Sequence, residues 1–274
     1  MEWRKLKNII LIILLALNLA LALLIGGPAL SDYYRESQAD REAVAFLEQK
    51  GISLGGIALP NPADLVPLSV TRAREEEARL ARQLLGEDAI QEARGGEVYR
   101  YTSALGVVQF HSDGSFWAQL ARDAFPVGND PAQAARELLE KLEFSGQTVP
   151  LEEAGENTLT VRQVWDGAQL FNQQATVLWD ETYLMEITGG RRLYGTPTED
   201  ESRQTITFAT ALVDFYNGLN QLGDVCSRID EILPGYLSDT SLRRQMEFTP
   251  VWRITTDTGA YQLDLVSGEV RRVN

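Results

Sequence analysis

The chain is 274 residues long and carries 39 Asp or Glu against 25 Lys or Arg, a formal net charge of −14. That balance repels nucleic acid and anionic lipid, and it excludes the basic footprint on which phosphate-backbone binding depends. A single cysteine, Cys226, rules out an intrachain disulfide. The only histidine, His111, rules out a multi-histidine zinc site, an HExxH helix and a His-based triad with a spare ligand.

The first predicted element is an apolar run over residues 9–26, interrupted only by Asn18. With Leu6 and the Gly27-Pro28 exit it reaches the roughly 20 residues of helix that span a hydrocarbon core. Its Leu and Ile side chains favour insertion by at most ~4 to 8 kcal/mol, which outweighs one buried asparagine. Arg4, Lys5 and Lys7 precede the run, and the first charge after it is Asp32, so the N-terminus is expected in the cytoplasm and the rest outside it. A cleaved secretory signal is the competing reading, but its apolar core is usually about 7 to 15 residues, shorter than this one. Lipid attachment would need a cysteine just after the run, and Cys226 lies far downstream. Without Glu2, Arg4, Lys5 and Lys7, the remainder has 38 acidic and 22 basic residues, a net of −16, which suits a soluble exported body.

Three stretches then repeat one plan, a helix-period segment followed by short alternating strands. A helix is expected over 71–85, with Ala78, Leu80, Ala81, Leu84 and Leu85 on one side and Gly86 as its stop. Strands follow over 98–102, 107–112 and 115–120, the last two joined at Asp113-Gly114. Asp130 and Pro131 open a second helix whose stripe is Ala135, Leu138, Leu139 and Leu142. Its strands carry Leu159, Val161 and Trp165, turn at Asp166-Gly167, return through Phe171, Ala175, Val177 and Trp179, and end with 183–187. After a polar loop over 195–202, Phe208, Leu212, Phe215, Tyr216 and Leu219 mark a third helix. Strands over 229–237, 248–255 and 261–266 complete the chain. Short turns between successive strands point to antiparallel pairing, hence an α+β protein with an N-terminal transmembrane helix followed by tandem modules of a helix on an antiparallel sheet. The expected division is 1–30 for the cytoplasmic tip and membrane helix, then modules over 31–125, 126–196 and 197–274.

Both ends of the chain resemble one family. Met1-Glu2-Trp3, then Lys5, Lys7 and a Leu/Ile run carrying Asn18, resemble the start of YycI proteins, membrane-anchored regulators of Gram-positive bacteria related to YycH. Pro250-Val251-Trp252-Arg253-Ile254, a turn, Tyr261 and Ser267-Gly268-Glu269-Val270 resemble the last hairpin shared by those regulators and by PepSY-type exported modules. The resemblance implies a non-enzymatic protein of the plasma membrane that tunes a cell-wall sensor histidine kinase of the WalK/YycG type, with a YycH-type co-regulator as a second partner. It implies neither cofactor, metal nor small-molecule substrate.

The residues of the membrane helix suit such a contact. Asn18 lies mid-bilayer, where an amide gains roughly 0.6 to 2 kcal/mol from a neighbouring helix. Ala16 and Ala20, like Ala22 and Gly26, stand four apart and would let that helix approach closely, although the same residues also suit a generic anchor. Trp3, Arg4, Lys5 and Lys7 form an interface anchor. Pro250, Trp252, Tyr261 and Gly268 carry the family motif, and alternation with Arg253 and Gln262 puts the two aromatics on a packed sheet face. An exported sheet edge can also accept a partner's strand.

Two rival readings share this anatomy. One is a scaffold for wall or secretion machinery. The other is a wall enzyme, which the residue inventory restricts to carboxylate pairs. Glu75-Glu76-Glu77 and Glu152-Glu153 read as solvated faces, and Asp113-Gly114 and Asp257-Thr258-Gly259 as hairpin turns without calcium-loop spacing.

Overall fold

A computed structural model describes Leu14 and residues 37–150, 155–191, 195–240 and 245–273. Among these, no helix is long and apolar enough to cross a membrane. Apart from Leu14, the predicted span over 9–26 lies outside the described residues, as does Glu152-Glu153.

Helix α1 is described over residues 37–49 and had no counterpart in the sequence pattern. A short 3-10 turn over Pro62–Asp64 leads to strand β1, Leu68–Thr71. Helix α2 follows at Arg74–Leu85. The predicted start at 71 is therefore three residues early, because Thr71 belongs to β1, whose partners β10 (Pro197–Glu199) and β12 (Gln245–Thr256) are distant in sequence. Local periodicity carries no trace of such pairing. Glu75, Glu76 and Glu77 in the first turn of α2 complement the helix dipole where Ala73 provides no side-chain cap.

Four strands follow α2: β2 (Ile90–Ala93), β3 (Tyr99–Ser103), β4 (Gly106–Phe110) and β5 (Ser115–Leu120). Helix α3, Pro131–Lys141, begins where the sequence indicates, with the Asp130 carboxylate accepting from the Gln133 N–H and Pro131 in the first turn. Four more strands come after it: β6 (Gly146–Thr148), β7 (Thr158–Trp165), β8 (Ala168–Trp179) and β9 (Leu184–Gly190). Asp166 and Gly167, both at positive φ, form the tight turn between β7 and β8. Helix α4, Phe208–Leu222, is capped by Thr207 and stopped by Gly223 in the left-handed region. Then come β11 (Ile229–Thr240), β12, β13 (Gly259–Asp264) and β14 (Val270–Val273).

The architecture is α+β, helices on a large, mostly antiparallel sheet. Eight strands run in the order β6-β7-β8-β9-β5-β4-β3-β2, with β5 and β9 joined at Ala118↔Ile187. Helices α2 and α3 cover one face of this part and share one core, which includes Leu80, Leu84, Phe116, Leu138, Val177 and Ile187. The last four strands lie in the order β11-β12-β13-β14 under α1 and α4, around Leu47, Phe215, Trp252 and Tyr261.

One ladder departs from the antiparallel expectation. β8 and β11 pair in parallel at Gln169↔Gly235 and Leu170↔Tyr236. The chain between them passes through β9, β10 and α4, long enough for the crossover that parallel pairing requires. Gly235 allows the approach, because a Cβ there would lie 2.5 Å from the Gln169 carbonyl oxygen. Beside this ladder a small core of Val70, Leu170, Tyr236, Met246 and Phe248 forms. Asn172 Nδ2 donates to the Ser238 carbonyl at 2.6 Å, and its Oδ1 accepts from the Ser238 N–H at 3.0 Å.

Candidate functional site

The candidate site is the place where residues 43–54 enter the C-terminal core. The described part of α1 begins at residue 37, and the apolar run of the sequence ends at Gly26. One side of α1 is buried: Ala43 is 5% exposed and Leu47 fully covered. Phe46 meets Tyr216 of α4 edge to face, with ring centroids 5.2 Å apart, and Lys50 Nζ stands 5.5 Å from the Phe46 ring and 5.7 Å from that of Tyr216. Beyond the helix, the Ser53 N–H donates to the Ser227 carbonyl and the Ile229 N–H to the Ser53 carbonyl, both at 2.9 Å. Ile52 and Leu54 join the same core. The segment over 43–54 is therefore held by apolar packing and by backbone bonds to the start of β11.

Two of the motif residues, Trp252 and Tyr261, belong to the same core. Trp252 is fully buried, its ring 5.9 Å from Phe208, and its indole N–H has no partner. Tyr261 is 1% exposed, packs edge to face on Phe215 at 5.9 Å, and donates its hydroxyl to Asp224 Oδ2 at 3.0 Å. Burial raises its phenol pKa. The Pro250 carbonyl accepts from the Leu265 N–H at 2.9 Å. Gly268 has φ of +73°, and a Cβ there would lie 2.5 Å from Asp214 Oδ2. The turn it closes is organised by Asp264, whose Oδ1 accepts from the Val266 and Ser267 N–H groups at 2.7 and 2.9 Å. Trp252 and Tyr261 thus lie on strands against which α1 and α4 pack, and Gly268 lies in the turn between β13 and β14.

Trp3, Arg4, Lys5, Lys7, Ala16, Asn18, Ala20 and Ala22 lie outside the described residues. Among the described residues no group of three or more His, Cys, Asp or Glu side chains is placed to hold a metal ion. His111, one residue past β4, has its Nε2 2.8 Å from Gln109 Nε2. Cys226 is half-buried beside the C-terminal core, where burial and then the Asp257 charge push its thiol up to about 11. Asp257 accepts from the Ser227 hydroxyl and from the Ser227 and Arg228 N–H groups, which hold its carboxyl below the usual range.

One reading of the acidic face needs correction. Glu75 and Glu76 are exposed, whereas Glu77 is 2% exposed and bound by both arms of the Arg72 guanidinium at 2.7 and 2.8 Å. Arg72 also donates to the Glu97 and Phe110 carbonyls, at 2.6 and 3.2 Å. Burial, opposed by Arg72, raises the Glu77 pKa. Beside this pair Tyr101 is buried with its hydroxyl unpartnered, and burial and the nearby Glu77 push its phenol up to about 12. Arg72 and Glu77 are five apart and join a loop to a helix, a spacing that helix-face patterns do not register.

No family model matches the chain, and no curated protein matches it. Among solved structures, an uncharacterized protein from Eubacterium rectale ATCC 33656 is 12% identical, over 77% of this chain and 86% of that one, with a TM-score of 0.42. The C-terminal domain of Bacillus megaterium YpeB is also 12% identical, over 75% of this chain and 99% of that one, with a TM-score of 0.35. Both likenesses are too distant to bear on function.

Proposed function

We propose that this protein is a single-pass regulator of the plasma membrane, of the YycI/YycH kind, that modulates a cell-wall sensor histidine kinase by contact and not by catalysis. The observation that supports this reading is the packing of α1 into the C-terminal core, in a chain whose sequence carries an apolar run of membrane-spanning length shortly before it. In this reading the run over 9–26 is an anchor with its N-terminus in the cytoplasm, and Ala16, Asn18, Ala20 and Ala22 face the kinase helices. The exported body consists in this reading of tandem units, each a helix followed by strands, four after α2 and after α4 and five, β6 to β10, after α3. A load on the exported body reaches the anchor through Phe46, Leu47 and Ile52, since a buried helix cannot shift without its core. A scaffold for wall or secretion machinery would use the same anatomy with a different partner.

The test is a photo-crosslink from position 18 in intact membranes, with captured proteins identified by mass spectrometry. Recovery of a histidine kinase supports regulation, and its loss when 9–26 is replaced by an unrelated anchor places recognition on the helix. Recovery of secretion or wall-synthesis proteins alone overturns the regulatory reading in favour of the scaffold.

A further inference from the structure

The sheet under α1 and α4 ends at β14, which among the described residues pairs only with β13. The Asp264 N–H donates to the Glu269 carbonyl at 2.9 Å, one step beyond the Leu263↔Val270 pair and in the same register. Alternation along an antiparallel ladder then turns the N–H and C=O groups of Val270 and Arg272 away from β13, toward the open edge.

Helix α4 runs beside this edge in the direction of β14. A Cβ on Gly268 would lie 2.5 Å from Asp214 Oδ2, one on Gly218 would lie 2.3 Å from Val270 Cγ2, and Arg272 Nη1 stands 3.5 Å from Asp224 Oδ1. Helix and strand border a cleft of about 410 Å³, with Asp214 and Gly268 at one end and Leu222 toward the other. The carboxylates along it differ. Glu269 is held by Arg271 at 3.1 and 2.8 Å, and Asp224 by Arg272 and the Tyr261 hydroxyl. Asp214 is half-buried and has no hydrogen-bond or ion-pair partner among the described residues, and burial raises its pKa. Leu222 is 45% exposed. The eight helical steps from Asp214 to Leu222 cover about 12 Å, a distance that an extended chain crosses in about four residues.

We propose that the β14 edge beside α4 accepts an extended segment of a partner protein as an added strand, with a Lys or Arg of that segment on Asp214 and an apolar side chain about four residues away on Leu222. The backbone groups of Val270 and Arg272 bond the added strand, and even spacing puts both anchoring side chains on its helix-facing side. A cation suits Asp214 because the carboxylate is partly desolvated and uncommitted, whereas an acidic segment would set a second unpaired charge beside it. The inference goes beyond the regulatory reading and does not depend on which protein supplies the segment.

The experiment uses the full chain in lipid nanodiscs and a fluorescein-labelled, amidated peptide, Thr-Lys-Thr-Val-Thr-Leu-Thr, titrated by anisotropy. Saturable binding is expected, with slower hydrogen exchange over 269–273. Asp214→Asn should weaken it roughly tenfold at an unaltered melting temperature, as should Glu in place of the peptide's Lys, while Glu87→Gln, an exposed acid outside the cleft, leaves it unchanged. Should Asp214→Asn unfold, the peptide exchange alone decides. Of two peptides N-methylated at the Thr positions or at the other three, one should bind and the other should not, because alternate amides face the edge. No saturable binding, equal affinity of the two methylated peptides, or equal losses in Asp214→Asn and Glu87→Gln overturns the proposal. So does slow exchange of the Val270 and Arg272 amides without peptide, which would mean that this chain or a second copy already fills the edge.

Discussion

The rings of Phe46 and Tyr216 meet at an interplanar angle of 85°, and this contact joins the helix nearest the apolar run to the last helix of the chain. Truncating Phe46 to Ala should cost about 1 to 3 kcal/mol, less than a fully buried ring because Phe46 is only partly covered. Hydrogen exchange should then quicken over 37–57 and α4 while the sheet under α2 and α3 stays protected. Uniform loss of protection would show that α1 is not a separate structural link.

Trp252 combines full burial with an unpartnered indole N–H. Trp252→Ala should cost about 3 to 5 kcal/mol in urea unfolding, as a large cavity does. Trp252→Phe should cost less than about 1.5 kcal/mol, because it removes the unsatisfied donor along with part of the ring. Equal losses in both variants would mean that the N–H is satisfied.

Removing one partner of the Arg72–Glu77 pair strands a buried charge. Glu77→Ala should lower stability by about 3 to 5 kcal/mol, and the double replacement Arg72→Met/Glu77→Leu should recover most of it. A double variant as weak as the single one would assign the loss to packing, not charge.

Tyr101 and Tyr236 should resist ionisation. Burial raises the phenols of Tyr101 and Tyr236 from 10.0 to about 12. A folded-state pKa above the unfolded one favours the neutral form, so this contribution to stability is complete below pH 10 and is lost as pH rises through 12. Absorbance at 295 nm should show a late-titrating group of tyrosines that loses one member in Tyr101→Phe and one in Tyr236→Phe.

Cys226 should behave as a slow thiol. With its pKa pushed up to about 11, alkylation at pH 8 should be far below that of a free cysteine and should climb with pH until about 11. Asp257→Asn should move that midpoint down, since it removes the second contributor to the shift.

What could be read from the chain follows the range of the forces involved. Asp130, Pro131 and the stripe Ala135, Leu138 and Leu139 are local signals, and α3 stands where they place it. Asp166-Gly167 likewise turns β7 into β8. β2, β6 and β10 carry no signal in the sequence, because all their residues are exposed and show no alternation. β1 depends on partners far along the chain, and α1 buries too narrow a stripe to stand out. At the candidate site, Trp252 and Tyr261 were legible as packed aromatics, whereas the entry of α1 into their core was not, because that contact spans most of the chain.

Leu68 of β1 pairs with Phe248 of β12, and Ser69 with Glu247, so an early strand waits for one of the last. A chain emerging N-terminus first can finish the sheet under α2 and α3 once Gly190 has appeared. Residues 37–71 have no completed partner surface until β12 and β13 follow. Synthesis therefore leaves the stretch nearest the apolar run exposed longest, and ribosome stalling or C-terminal nonsense mutations should produce proteins whose central body is folded and whose N-terminal segment is a protease substrate.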